Sequence, residues 1–136
     1  MRTGGKKHRT GLQRAAAAVE LAVVSPLLFA MLFGIIEFGW LFAVQNTLVN
    51  AAREGARLGI LQGVTADEIE TRTLQFLQPM GLEERVTIEI TEATTDDPFV
   101  TVRITVPRED VSLVGSFFGF VGGTVEGTAT MRKEGM

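Results

Sequence analysis

The chain has no cysteine in its 136 residues. Disulfide staples, thiolate metal sites and cysteine nucleophiles are therefore excluded. Tyrosine is absent as well, and the one histidine, His8, lies in a basic tail expected to be unstructured. General acid–base chemistry would rest on carboxylates alone, and no pair of them falls on an identifiable cleft. The composition points to a non-enzymatic chain that needs no cofactor, no metal and no small-molecule substrate. A glutamate-based hydrolase is kept as a distant third reading.

Charge of one sign is missing from the N-terminus. Residues 1–14 carry five basic groups (Arg2, Lys6, Lys7, Arg9 and Arg14) and no acid, within a chain whose net charge is −3. Basic flanks remain cytoplasmic beside a membrane span, whereas an acidic remainder can cross. The expected topology is an N-terminus inside and the bulk of the chain outside. Five charges abutting an apolar run are better explained as a topology signal than as a nucleic-acid contact.

From Ala15 to Val44 the clearly hydrophilic residues are Glu20, Ser25 and Glu37. A bilayer core needs about 20 helical residues. The glutamate-free stretch Leu21–Ile36 offers only about 24 Å at 1.5 Å per residue, so at least one glutamate must lie near a membrane boundary. Phe38, Trp40 and Phe42 form an aromatic belt at the outer end. Counting about 20 residues back from Trp40 reaches Glu20. Glu20 is thus placed at the cytoplasmic edge and Glu37 just inside the outer one, where both avoid the ~3 kcal/mol of a mid-bilayer charge. For Glu37 two readings stay open, a snorkelling side chain or one with a partner on another chain. A cleaved secretory signal fits badly, because the small residues Ala15–Ala18 precede the apolar run instead of following it. Pro26 frees the carbonyl of Ala22, which membrane helices tolerate.

Beyond Val44 the sequence continues "QNTLVNAAREGARLGILQG". Ala51, Gly55 and Gly59 recur at a spacing of four, and Ala52 and Ala56 repeat it alongside. This stripe lacks side-chain bulk and admits close approach by another element. The expected occupant is the chain's own sheet, with a separate partner as the alternative. Arg53 and Arg57 project from a neighbouring face, and Glu54 can pair with Arg57. The helix is expected to end near Gly63. Thr65 and Glu68 then form a capping box opening a second helix, whose apolar side is Ile69, Leu74 and Leu77 until Pro79 and Gly81 stop it.

After that the period changes to two. "RVTIEITEA" and "FVTVRITVP" alternate apolar with polar residues around the turn signal Thr95-Asp96-Asp97-Pro98, and "GTVEGTATMR" supplies a third strand. Between strands two and three, "VSLVGSFFGFVGG" is apolar but too short and glycine-broken to span a bilayer. It could close over the sheet, dip into the outer leaflet or form a partner surface. The fold class is α+β: a long N-terminal helix, transmembrane in its first half and amphipathic in its second, packed on a small antiparallel three-stranded sheet. Residues 1–14 form a basic leader, 15–44 the span, 45–63 the helix continuation and 64–136 the outer-face domain.

Through "AAAAVELAVVSPLLFAMLFGIIEFG" and "NAAREGARLG", and more loosely at "GTATMR", the chain resembles the TadE-like pseudopilins of the tight-adherence (Tad/Flp) pilus, a branch of the type IV pilin-like proteins. The resemblance implies a pilin-like fold and a minor pilin that initiates, caps or supports assembly of a pilus or secretion filament. It implies a prepilin peptidase cut between Ala15 and Ala16, with Glu20 as fifth residue of the mature chain. Where the family usually has glycine before the cut, this sequence has Ala15, so a permanently anchored outer-face adaptor is the alternative. Implied partners are a second pseudopilin, the inner-membrane platform proteins, the major pilin and the peptidase, with no nucleic acid. The implied location is the inner membrane, in a single pass with the C-terminal domain periplasmic or extracellular. Glu20, Pro26, Gly34 and Glu37 would carry subunit and membrane contacts. Ala51, Ala52, Arg53, Gly55, Ala56, Arg57 and Gly59 would carry helix packing.

Overall fold

A computed structural model describes residues 7–115, 119 and 122–133, with residues 7–10 as backbone only. Helix α1 runs Lys7–Gly59 and α2 runs Ala66–Leu77, continued by a 3-10 turn at Gln78–Met80. Strands β1 (Thr87–Thr91) and β2 (Phe99–Pro107), a short helix α3 (Arg108–Val111) and strand β3 (Thr124–Arg132) follow. The helical backbone at Lys7 departs from the expectation of an unstructured basic tail; residues 1–6 of that tail lie outside the described residues. The chain divides into two compact units, Met1–Ile36 and Glu37–Met136.

In the first unit, apolar side chains face outward along the whole helix. Leu21, Val23, Leu27, Phe29 and Met31 are each more than half exposed, and Pro26 sits within the helix. A helix that is apolar all round must be buried in something. This one is long and apolar enough to cross a membrane, which is compatible with a single-pass anchor.

In the second unit the period-two residues form an antiparallel sheet of order β1-β2-β3. Val100, Val102, Ile104 and Val106 of β2 are buried on one face, while Thr87, Glu89, Arg103, Thr128 and Thr130 lie exposed on the other. Registers Glu89↔Arg103↔Thr128 and Thr91↔Thr101↔Thr130 put polar residues opposite polar residues across all three strands. The outer part of α1 lies on the apolar face through Val44, Leu48, Ala51, Ala52 and Ala56, all fully buried.

The stripe without side chains decides how close that packing is. A methyl group added at Gly55 would collide with Thr73 Oγ1 of α2, and one at Gly59 would come within 2.8 Å of Val100. The sheet answers in kind. A methyl on Gly127 of β3 would strike the backbone of Leu48 and Val49. The stripe is thus occupied by the chain's own sheet and second helix. Arg53 and Arg57 remain exposed beside it.

Three local features differ from the sequence reading. Helix α1 stops at Gly59, and Gly63 lies in the following turn at φ +79°. The capping box at Thr65 and Glu68 is present, but the residue of α2 buried between Ile69 and Leu77 is Thr73, with Leu74 half-buried. Thr73 fits there because it is small enough to face Gly55, and its hydroxyl donates to the Ile69 carbonyl at 2.7 Å. Helix α3 had no periodic signal in four residues. The apolar stretch 111–123 lies partly outside the described residues.

Glu54 ties α1 to α2. Its carboxylate accepts from Arg57 at 3.0 and 3.1 Å and from Arg72 at 3.1 and 3.3 Å. Hydrogen bonds from Arg57 and then Arg72 hold the Glu54 carboxyl below its ordinary value. A carboxyl group so held stabilises the fold above its unfolded pKa and loses that contribution as pH falls through the folded value.

Two outcomes are expected. Gly127→Ala destabilises the sheet by about 1–3 kcal/mol through overpacking, whereas Gly39→Ala, with open space around it, does not; thermal melting of the full chain in detergent compares them. Glu54→Gln flattens the part of the melting temperature's pH dependence that lies below about pH 5 and leaves the neutral-to-alkaline side unchanged in slope.

Candidate functional site

The chemistry-bearing groups that the fold brings together lie at the first turns of the second unit. Glu37 and Trp40 are separated by three residues and so share one face of α1. Both reach the segment that follows β2. Trp40 Nε1 donates to the Val111 carbonyl at 2.6 Å. Glu37 Oε1 accepts from Ser112 Oγ at 2.5 Å, and Oε2 accepts from the backbone N–H groups of Leu113 and Val114, each at 2.9 Å.

This is a carboxylate seated in a ring of donors from consecutive residues. Ser112 Oγ accepts in turn from the Gly115 N–H at 2.7 Å, which closes the turn. Gly115 is buried, and a methyl group there would collide with Ser112 Oγ, so the seat needs glycine as well as serine. Arg108 of α3 is close enough for its charge to act on Glu37. Charge-assisted bonds to backbone N–H groups are about twice as strong as neutral ones. They matter most where water is scarce, because an unpaired carboxylate would otherwise bear its full desolvation cost.

Glu37, left open between snorkelling and a partner on another chain, is therefore bonded by its own chain. A signal for this existed in the sequence: Ser112 is the lone polar residue in "VSLVG", and Gly115 follows at the i, i+3 spacing at which a serine hydroxyl caps a backbone N–H. What the sequence did not show is that this turn lies beside the helix. The other expected membrane-side residues are not brought together with it. Glu20, Pro26 and Gly34 belong to the first unit, where Glu20 is exposed and Gly34 has open space around it. Ala15 and Ala16 lie exposed on the same helix. Among the described residues no three His, Asp or Glu side chains stand together as a metal site.

Replacing Glu37 by Gln is expected to weaken the seat, since a neutral acceptor with one oxygen cannot serve all three donors. With each bond to a charged group contributing about 1.5–3 kcal/mol, amide exchange at Leu113 and Val114 rises by about tenfold or more in hydrogen-exchange mass spectrometry. Emission from Trp40, the single tryptophan, shifts to the red as its hydrogen bond to Val111 loosens.

No curated protein and no solved structure matches the chain. A match to a family model exists for residues 15–57, described as TadE-like protein. The matched stretch takes in the small residues before the apolar run, both glutamates, Trp40 and most of the buried stripe, and it points to a protein associated with the Tad pilus. Across residues 15–57 this chain carries the sequence pattern of the TadE-like family, and the resemblance read in its sequence is borne out.

Proposed function

We propose that the protein is a non-enzymatic minor pilin or pseudopilin that initiates, caps or supports assembly of a Tad/Flp-type pilus or related secretion filament. The observation that carries this reading is the match over residues 15–57, which unites the apolar run with most of the small-residue stripe. The exposed apolar helix of the first unit supports a single-pass anchor in the inner membrane. The basic leader supports an N-terminus on the cytoplasmic side, with the second unit on the opposite face.

In this reading a prepilin peptidase cuts between Ala15 and Ala16. The new α-amine, with a pKa of about 8, is mostly protonated at neutral pH. In a low-dielectric bundle of helices that ammonium needs a counter-charge, and Glu20 of a neighbouring subunit supplies it. Partners are a second pseudopilin, the membrane platform proteins and the major pilin. The buried stripe from Ala51 to Gly59 serves the second unit's own packing, and on the exposed side beside it Arg53 is offered for contacts while Arg57 is held by Glu54.

One residue favours a second reading. Ala15 stands where glycine is usual before the cut, which supports a permanently anchored outer-face adaptor that keeps residues 1–15 and joins an envelope complex without entering a filament.

Intact-mass and N-terminal analysis of the protein from membranes separates the two. A mature chain beginning at Ala16 is expected for the pilin, whereas retention of residues 1–15 together with normal piliation would sink the processing scheme. Glu20→Gln is expected to abolish co-purification with the second pseudopilin and to lower piliation. Intact assembly in that variant would remove Glu20 from the mechanism.

A further inference from the structure

The three-stranded sheet ends in two rims, β1 and β3, and the ladder fixes which of their backbone groups are in use. The Arg108 N–H donates to the Gly123 carbonyl at 3.0 Å and the Lys133 N–H to that of Pro98 at 2.8 Å, each one step beyond the end pairs Pro107↔Thr124 and Phe99↔Arg132. In an antiparallel pair, bonded and non-bonded positions alternate. The residues of β3 bonded to β2 are therefore Val125, Gly127, Ala129 and Met131. The N–H and C=O groups of Glu126, Thr128, Thr130 and Arg132 point away from it. By the same alternation Thr87, Glu89 and Thr91 bond to β2 from the other side, and Ile88 and Ile90 present their backbone groups outward. Among the described residues no hydrogen bond takes up these outward groups.

Neither rim strand contains a proline, and the register of β3 runs without a bulge from Thr124 to Arg132. Edge strands of that kind are open to pairing. The apolar residues along both rims are also incompletely covered: Ile88, Ile90 and Met131 are half-buried at the margin of the core. Both rims run antiparallel to β2 and hence parallel to each other. Val102 lies against Gly55 and Val100 against Gly59, so the strands run alongside the outer part of α1. Pairing β3 with β3 of another copy either reverses one α1 segment relative to the other or sets the polar face of one sheet level with the apolar face of the next. Pairing β3 with β1 of another copy keeps the α1 segments parallel and the faces matched, as chains anchored side by side in one membrane require.

We propose that the β3 rim is a docking edge for the β1 rim of a second copy of this chain, in parallel, so that the sheet continues from one copy to the next. The inference rests on the membrane-anchor reading, which fixes the parallel sense. Matched faces restrict the register, because Glu89 must fall beside a polar-facing residue of β3. There it is repelled by Glu126 and attracted by Arg132. Setting Thr87 of one copy beside Thr128 of the other pairs all five residues of β1 and brings Glu89 beside Thr130, next along the strand to Arg132. Ile88 then lies beside the small Ala129, and Ile90 beside Met131. The outward groups of Ile88 and Ile90 meet those of Thr128, Thr130 and Arg132. Each copy offers one rim of each kind, so the contact is heterologous and adds copies in a row instead of closing on itself.

The chain has no cysteine, so introduced thiols report the contact without a background from its own residues. Full-length chains bearing Thr87→Cys and Thr128→Cys are co-expressed in one membrane and oxidised. Residues side by side on neighbouring strands fall within the Cα separation that a disulfide needs. A crosslinked dimer is expected from the mixture and from neither chain alone. Thr124→Cys in place of Thr128→Cys, displaced by about 13 Å along the strand, is expected to give none. Thr130→Pro, added to the Thr128→Cys chain, removes an outward N–H but no bond to β2, and is expected to abolish the crosslink. Circular dichroism and Trp40 emission check its fold. If the fold is lost, Arg132→Glu takes its place and lowers the crosslink by about threefold through repulsion of Glu89. A mixture that yields no dimer overturns the docking edge. So do dimers from either chain alone, undiminished crosslinking in a folded edge variant, or a Thr128→Cys chain found joined to a different polypeptide by mass spectrometry. Alkaline carbonate washing of the same membranes tests the anchor by itself. A chain that stays in the membrane without the crosslink loses this contact alone, whereas a chain that washes out loses the anchor and this contact together.

Discussion

Contact between α1 and the sheet is set by the absence of side chains at a few positions, and the second unit depends on it. Gly55 leaves room for Thr73, Gly59 for Val100 and Gly127 for the helix backbone at Leu48 and Val49. Helices normally pack with about 8–10 Å between axes because side chains hold them apart. Here the sheet's third strand meets the helix backbone itself. Glycine is costly inside a helix, by about 1 kcal/mol relative to alanine, so the positions are tolerable only because burial repays them: Leu48, Val102 and Ile104 reach complete burial around them. The core of this small unit is assembled on that closeness.

A second constraint acts at the other end of the same helix segment. Glu37 and Trp40 are the wrong residues for an aliphatic surface, yet each has its hydrogen-bonding capacity met by the segment from Val111 to Val114. That segment has few backbone partners of its own, since it leaves the sheet at Pro107 and rejoins it at Thr124. The carboxylate supplies acceptors for orphan N–H groups, and the N–H groups supply the solvation the carboxylate lacks. Each solves the other's problem. The same arrangement brings α3, and with it Arg108, to the side of the helix.

Much of this fold was legible in the residues. The change of period from helical to alternating spacing located β2 to the residue, and the capping box at Thr65 marked the start of α2. The stripe from Ala51 to Gly59 announced a close neighbour. Other features were not legible because they depend on distant residues. Thr73 replaces Leu74 as the buried residue of α2 since the space opposite it, next to Gly55, is too small for leucine. The end of α1 at Gly59 and the short α3 follow from how the chain must turn to reach the next element, and neither leaves a periodic trace. For the candidate site, Glu37 and Trp40 stood out as residues needing an explanation, while their partners lay more than seventy residues away.

The sequence by itself determined an apolar run with a basic flank and a family pattern over residues 15–57. Those are properties of composition and of near-neighbour spacing, which survive without any knowledge of the fold. Only the tertiary structure decided what the small-residue stripe touches and what satisfies Glu37. Both answers require two segments far apart in the chain to arrive at the same place. No local pattern encodes that arrival, because it results from burying all the apolar faces at once.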